Sequence, residues 1–165
     1  MTERSARTVA GVIHGNPASR CAALLLVGVV AGAALTGCSA DDAARGSLSQ
    51  SAGTAAASAR SAGLVLGLQQ NGRMLGTVLD TGLSASSDNL AQEAQSVSSM
   101  TALGGIGRSR DRVLGDIRAA EDAVSSAQRA VAAGHDGRAA LEPQRRRLDA
   151  LAQRLDAASK RLEGE

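Results

Sequence analysis

The 165-residue chain contains no phenylalanine, tyrosine or tryptophan. Without aromatic rings it has no platform for stacking sugars. Any core must come from Leu, Val, Ile, Met and Ala, which bury less area per residue than aromatics. Cysteine is scarce too: the two are Cys21, inside an apolar run, and Cys38, at its end. A chain beginning at Cys38 holds one thiol, which excludes a disulfide framework and leaves too few ligands for a thiolate zinc site or a haem. Of the two histidines only His135 lies beyond residue 38, so triad chemistry lacks its parts. No enzyme activity, no metal and no cofactor is expected.

Charge of either sign is also in short supply. The formal net charge is +2, and Arg4, Arg7 and Arg20 against Glu3 account for all of it, leaving 15 basic and 15 acidic residues from Cys38 onward. A basic isoelectric point would ordinarily raise nucleic acid as a partner, but here the surplus lies in the first 37 residues, and nucleic acid is set aside.

What is present begins with the N-terminal segment. Residues 1–20 are polar and carry three arginines, after which Cys21 to Leu35 run for 15 residues without a charge. A membrane-spanning helix needs about 20 apolar residues, so a 15-residue run behind a basic leader reads as an export signal. The run ends in Leu35-Thr36-Gly37-Cys38, which resembles the lipobox of bacterial lipoproteins at all four positions: aliphatic, small polar, Gly, Cys.

That resemblance covers residues 1–39 only, and it concerns delivery. It implies that the Cys38 thiol takes a covalent diacylglyceryl lipid and that a signal peptidase cuts between Gly37 and Cys38. The protein would then sit on the extracytoplasmic face of the bacterial cell membrane. The implied organisation is a cleaved signal peptide at 1–37, a lipidated N-terminus and tether at 38–61, and a helical domain at 62–165.

Residues 39–61 are rich in Ala, Ser and Gly with a single Leu, the composition of a flexible tether. The same Ala-rich stretch also admits an extension of the first helix. From Leu64 to Leu103 apolar residues recur at helical spacing, through Leu64, Leu68, Leu75, Val78, Leu79, Leu83, Leu90 and Val97. Gly63/Gly67 and Gly72/Gly76 are pairs four apart that would let another helix approach closely. Ser86-Ser87-Asp88-Asn89 offers capping residues, placing a break between two helices near Ser84 to Asp88. Gly104-Gly105-Ile106-Gly107 is a firmer breaker; it lacks the strand and the Gly-Lys-Ser/Thr ending of a phosphate loop.

The last third has the best periodicity. Val113, Ile117, Ala120, Val124, Ala127 and Val131 alternate spacings of four and three, and Leu148, Leu151, Leu155, Ala158 and Leu162 form a second stripe. Between them Gly134 can close one helix in the left-handed conformation and Asp136 can cap the next. Pro143 predicts a kink or a restart at Glu142. Arg112/Asp116, Arg118/Asp122, Arg145/Asp149 and Asp156/Lys160, each four apart, would support exposed faces. Arg145-Arg146-Arg147 reads most simply as a solvated face, although it could touch anionic headgroups or a phosphate-bearing polymer.

The fold class expected is all-α: a helical bundle or an antiparallel coiled-coil-like hairpin after the tether. The expected role is that of a membrane-anchored, non-enzymatic envelope lipoprotein whose helices bind another protein or a second copy, or serve a structural role. The alternative is an accessory lipoprotein that binds a small apolar ligand between its helices.

Overall fold

A computed structural model describes residues 40–73, 75–101, 104–135 and 137–164. Among these residues the protein is all-α. Its four helices are α1 (Ala40–Gln70), α2 (Gly76–Ser99), α3 (Gly107–Ala132) and α4 (Arg138–Gly164), with a 3₁₀ turn at Gly104–Ile106 before α3. Neighbouring helices run antiparallel. Ser49, early in α1, meets Ser159, late in α4, whereas Gly67, late in α1, lies against Arg145, early in α4. Helices α1–α2, α2–α3 and α3–α4 pack as successive neighbours, and α4 returns to pack on α1 more intimately than any other pair. The result is an up-down-up-down four-helix bundle.

Residues 40–61, read above as a tether, are the first two thirds of α1. The physical reason lies in Leu48, Ala52, Ala55, Ala59, Ala62 and Leu66, which alternate spacings of four and three and are all at most 1% exposed. This is the heptad stripe of α3 and α4 written mostly in alanine, the best helix former. On its α4 side the stripe is flanked by Ser49 and Gly63, both buried. Small side chains bring the two backbones close: a Cβ on Gly63 would lie 2.9 Å from Asp149 Oδ1, and one on Gly53 would lie 3.4 Å from Ser159 Oγ.

The close approach also brings hydroxyls within reach of backbone. Ser159 Oγ donates to the Ser49 carbonyl at 3.0 Å, and Ser49 Oγ lies 3.1 Å from both the Ser159 carbonyl and Glu163 Oε1. Each buried hydroxyl therefore has a partner, as burial requires.

The stripes of α3 and α4 face the core as expected. Val113, Ile117, Ala120, Val124 and Ala127 are buried with only Val131 at the margin, and Leu148, Leu151, Leu155, Ala158 and Leu162 are all buried. From α2, Leu79, Leu83, Leu90 and Val97 complete the core.

Several expectations are corrected. The helical run from Leu64 to Leu103 is broken at its start, because α1 ends at Gln70 and α2 begins at Gly76. Leu64 and Leu68, on the outer face of α1, are 68% and 40% exposed, and Leu75 and Val78, at the break, are 74% and 51% exposed. The break near Ser84 to Asp88 is not there, since α2 runs unbroken to Ser99; Ser86 is buried and returns its hydroxyl to the Gly82 carbonyl at 2.8 Å, which satisfies it inside a helix. Helix α4 starts at Arg138 and continues through Pro143 without restarting. The proline deprives only the carbonyl of Ala139, an exposed residue of the first turn, where water can replace the missing N–H.

Both long turns close with the same device. After α3, Gly134 has φ +75°, its N–H donates to the Val131 carbonyl at 2.9 Å and the His135 N–H donates to Ala130 at 2.8 Å. After α1, Gly72 has φ +64°, with the Gly72 N–H on Gln69 at 2.9 Å and the Arg73 N–H on Leu68 at 3.0 Å. These are paired Schellman closures. The first was legible in the sequence; the second was read as a helix-packing glycine. Asp136 lies outside the described residues, and the N-cap position of α4 is taken by Gly137, whose carbonyl accepts from Leu141 N at 3.2 Å.

The two kinds of glycine respond oppositely to a methyl group. Gly134→Ala forces a left-handed residue to carry a Cβ and is expected to destabilise by about 1 kcal/mol. Gly115→Ala, in mid-α3 with open space around its Cβ position, is expected to stabilise by about 0.5–1 kcal/mol. Urea unfolding of both variants checks the pair.

Candidate functional site

The residues assigned by the lipobox resemblance, Gly37 and Cys38, lie outside the described residues. Among the described residues, no helix is long and apolar enough to cross a membrane, and no cluster of three or more His, Cys, Asp and Glu is placed to hold a metal ion. His135 is exposed in the turn between α3 and α4. Gly104–Ile106 forms the 3₁₀ turn leading into α3, which agrees with its reading as a breaker.

Charged side chains concentrate where α1 ends and α4 begins. Glu142 is the hub. Arg145 grips it with a two-pronged fork, Nε to Oε2 at 2.9 Å and Nη2 to Oε1 at 3.0 Å, and Arg146 Nε adds a third bond to Oε1 at 2.8 Å. From α1, the Gln70 amide, oriented to suit the network, donates to Glu142 Oε2 at 3.3 Å and accepts from the Glu142 N–H at 3.2 Å. Arg145 also reaches Asp149 at 3.0 Å, and Arg138 donates to Asn71 Oδ1 at 3.2 Å. The hydrogen bonds from Arg145, then those from Arg146, hold the Glu142 carboxyl well below the usual carboxylate range, at about 2.

Of the four expected ion pairs along helices, Arg145–Asp149 forms at 3.0 Å and Asp156–Lys160 at 2.8 Å. Asp116 instead reaches across to Arg154 of α4 at 3.0 Å, and Arg60 of α1 crosses to Asp156 at 3.0 Å. Lys160 and then Arg60 hold the Asp156 carboxyl below its ordinary value. Sequence spacing finds pairs along one helix; the pairs between helices depend on which faces meet.

Two open clefts occupy this end of the bundle and share Gly67, Asn71 and Arg145. One, of about 400 Å³, is lined by Gln70, Arg138, Glu142 and Arg146 as well. The other, of about 450 Å³, is mainly apolar and adds Arg60, Gly63, Leu64, Leu68 and Asp149. In three comparisons, no protein-family model, no curated protein and no solved structure matches the chain. At this end guanidinium groups lie next to exposed aliphatic side chains.

Sequence reading singled out Arg145-Arg146-Arg147 as a solvated face, and the structure divides the three. Arg145 and Arg146 converge on Glu142, while Arg147 is exposed beside Pro143 and Gln144. Gln70, Asn71 and Glu142 were missed, because nothing in their spacing says that the end of α1 meets the start of α4.

A lowered carboxyl pKa in the folded state stabilises fully above the ordinary value of 4.5, and that contribution is lost as pH falls toward about 2. Denaturation midpoints measured across that interval are expected to fall less steeply for Glu142→Gln than for wild type. At pH 7 the variant is expected to be the less stable of the two.

Proposed function

We propose that the chain is a bacterial lipoprotein, anchored through a diacylglyceryl group on Cys38 at the extracytoplasmic face of the membrane, whose four-helix bundle serves as a non-enzymatic module for binding another protein. The observation that carries the anchor is Leu35-Thr36-Gly37-Cys38 closing a 15-residue uncharged run behind a basic leader. Two acyl chains at about 0.8 kcal/mol per buried CH₂ suffice to hold a protein on a bilayer, so no spanning helix is required.

The start of α1 supports a particular arrangement. Helix begins at Ala40, two residues after Cys38, and two residues of extended chain cover at most about 7 Å. That spacing leaves little chain for a tether. Its interaction role is supported by the helical architecture and by the exposed Leu64, Leu68, Leu75 and Val78, which do nothing for the core.

Metabolic labelling with a clickable fatty acid, followed by cell fractionation, tests the anchor. Wild type is expected to carry the label and sediment with membranes, and Cys38→Ala to lose the label and accumulate as the longer, uncut precursor. A variant that keeps both label and mature size would contradict the lipoprotein reading.

A further inference from the structure

Resting on the interaction role just proposed, we infer that the end of the bundle far from residue 40 is a docking site for an acidic segment of another protein. That segment would place an apolar side chain against Leu64 and Leu68 and its carboxylates against Arg138 and Arg146.

The shape comes from α1. Leu64 and Leu68, one turn apart, are 68% and 40% exposed, whereas Leu48 and Leu66 of the same helix are at most 1% exposed. Gly67 carries no side chain and leaves the floor between α1 and α4 open; a Cβ there would meet Arg145 Cδ at 3.8 Å. The resulting 450 Å³ cleft is apolar along most of its lining and large enough for one or two side chains.

The chemistry of the occupant follows from charge. The adjoining 400 Å³ cleft is lined by Arg138, Arg145 and Arg146 with Glu142 as its one carboxylate, a surplus of two positive charges. Arg145 is committed to Glu142 and Asp149, whereas among the described residues Arg138 bonds to the neutral Asn71, and Arg146, 74% exposed, contacts Glu142. Guanidinium groups fixed in this way are preorganised to bind carboxylates. The same surplus opposes a second copy, which would bring like charges together.

Shape favours a protein over a lipid surface: a concave site floored by glycine fits an inserted side chain better than a flat bilayer.

The probe is a fluorescent 20-residue helical peptide of Leu, Glu and Ala, titrated by anisotropy against the purified lipidated protein in detergent. It is compared with the same peptide carrying Lys for Glu and with vesicles rich in phosphatidylglycerol. The acidic peptide is expected to bind, more weakly as salt rises, while the lysine peptide does not. Leu64→Ser with Leu68→Ser, and separately Arg138→Glu with Arg146→Glu, are each expected to weaken it by about tenfold or more. All four positions are exposed, and an unchanged thermal midpoint excludes loss of fold.

No binding, equal binding by all variants, preference for the vesicles, or a concentration-dependent dimer abolished by the leucine changes would each overturn the inference. Cys38→Ala separates this outcome from the anchor: if the variant keeps the lipid label and the mature size yet the peptide binds normally, the anchor reading fails and the docking site stands.

Discussion

The contact between α1 and α4 is the constraint on which the rest of the bundle depends. A chain without aromatic residues cannot fill a wide core, so its helices have to lie close together. Ser49, Gly53, Ala56 and Gly63 on α1 permit that closeness, while Leu148, Leu151 and Leu155 of α4 supply the bulk. Because dispersion forces fall steeply with distance, many short contacts between small groups replace the large areas that aromatics would bury. The hydroxyls of Ser49 and Ser159, each within reach of the other's backbone carbonyl, set the register of the pair. Once α1 and α4 are fixed, the Leu-bearing face of α2 and the Val- and Ile-bearing stripe of α3 have a surface to close against.

The same pairing gives the molecule two unlike ends. At one end the helix begins directly after the proposed lipid site, with Asp41 and Asp42 in its first turn, where negative charge suits the helix dipole. At the other, the end of α1 and the start of α4 bring Gln70, Asn71, Arg138, Glu142, Arg145 and Arg146 together. Gly63, which permits close packing, and Gly67, which leaves space, both line the cleft there, so the packing of α1 on α4 shapes the candidate binding surface. On this account a single structural economy, small residues in place of large, governs both stability and function.

How much of this was legible in the sequence depended on side-chain size. The stripes of α3 and α4 were readable because Leu, Val and Ile announce themselves at spacings of three and four. The stripe of α1 has the same spacing, yet alanine in a Ser- and Gly-rich stretch looks equally like a tether, and only a partner helix makes it a core. Leu64 and Leu68 failed in the opposite direction: their spacing is helical and their chemistry apolar, but they lie on the outer face of α1, off the buried stripe that runs through Ala62 and Leu66. Gly134 was recognisable as a helix terminator because a polar turn follows it. Gly72 was not, because aliphatic residues resume at Leu75. The candidate site joins residues some 70 positions apart in the chain, and spacing within one segment carries no information about such a meeting.

The most direct test of the central claim is a pair of alanine-to-leucine substitutions in α1, compared by guanidinium unfolding. Ala56, fully buried on the face that Gly53, Arg60 and Gly63 turn to α4, has an exposed neighbour in Ala57. Ala56→Leu has to push α4 away and is expected to cost about 1–3 kcal/mol, while Ala57→Leu stays within about 0.5 kcal/mol of wild type. Equal stability of the two variants would mean that residues 40–61 do not pack closely against α4, and the account of the bundle would be wrong at its foundation.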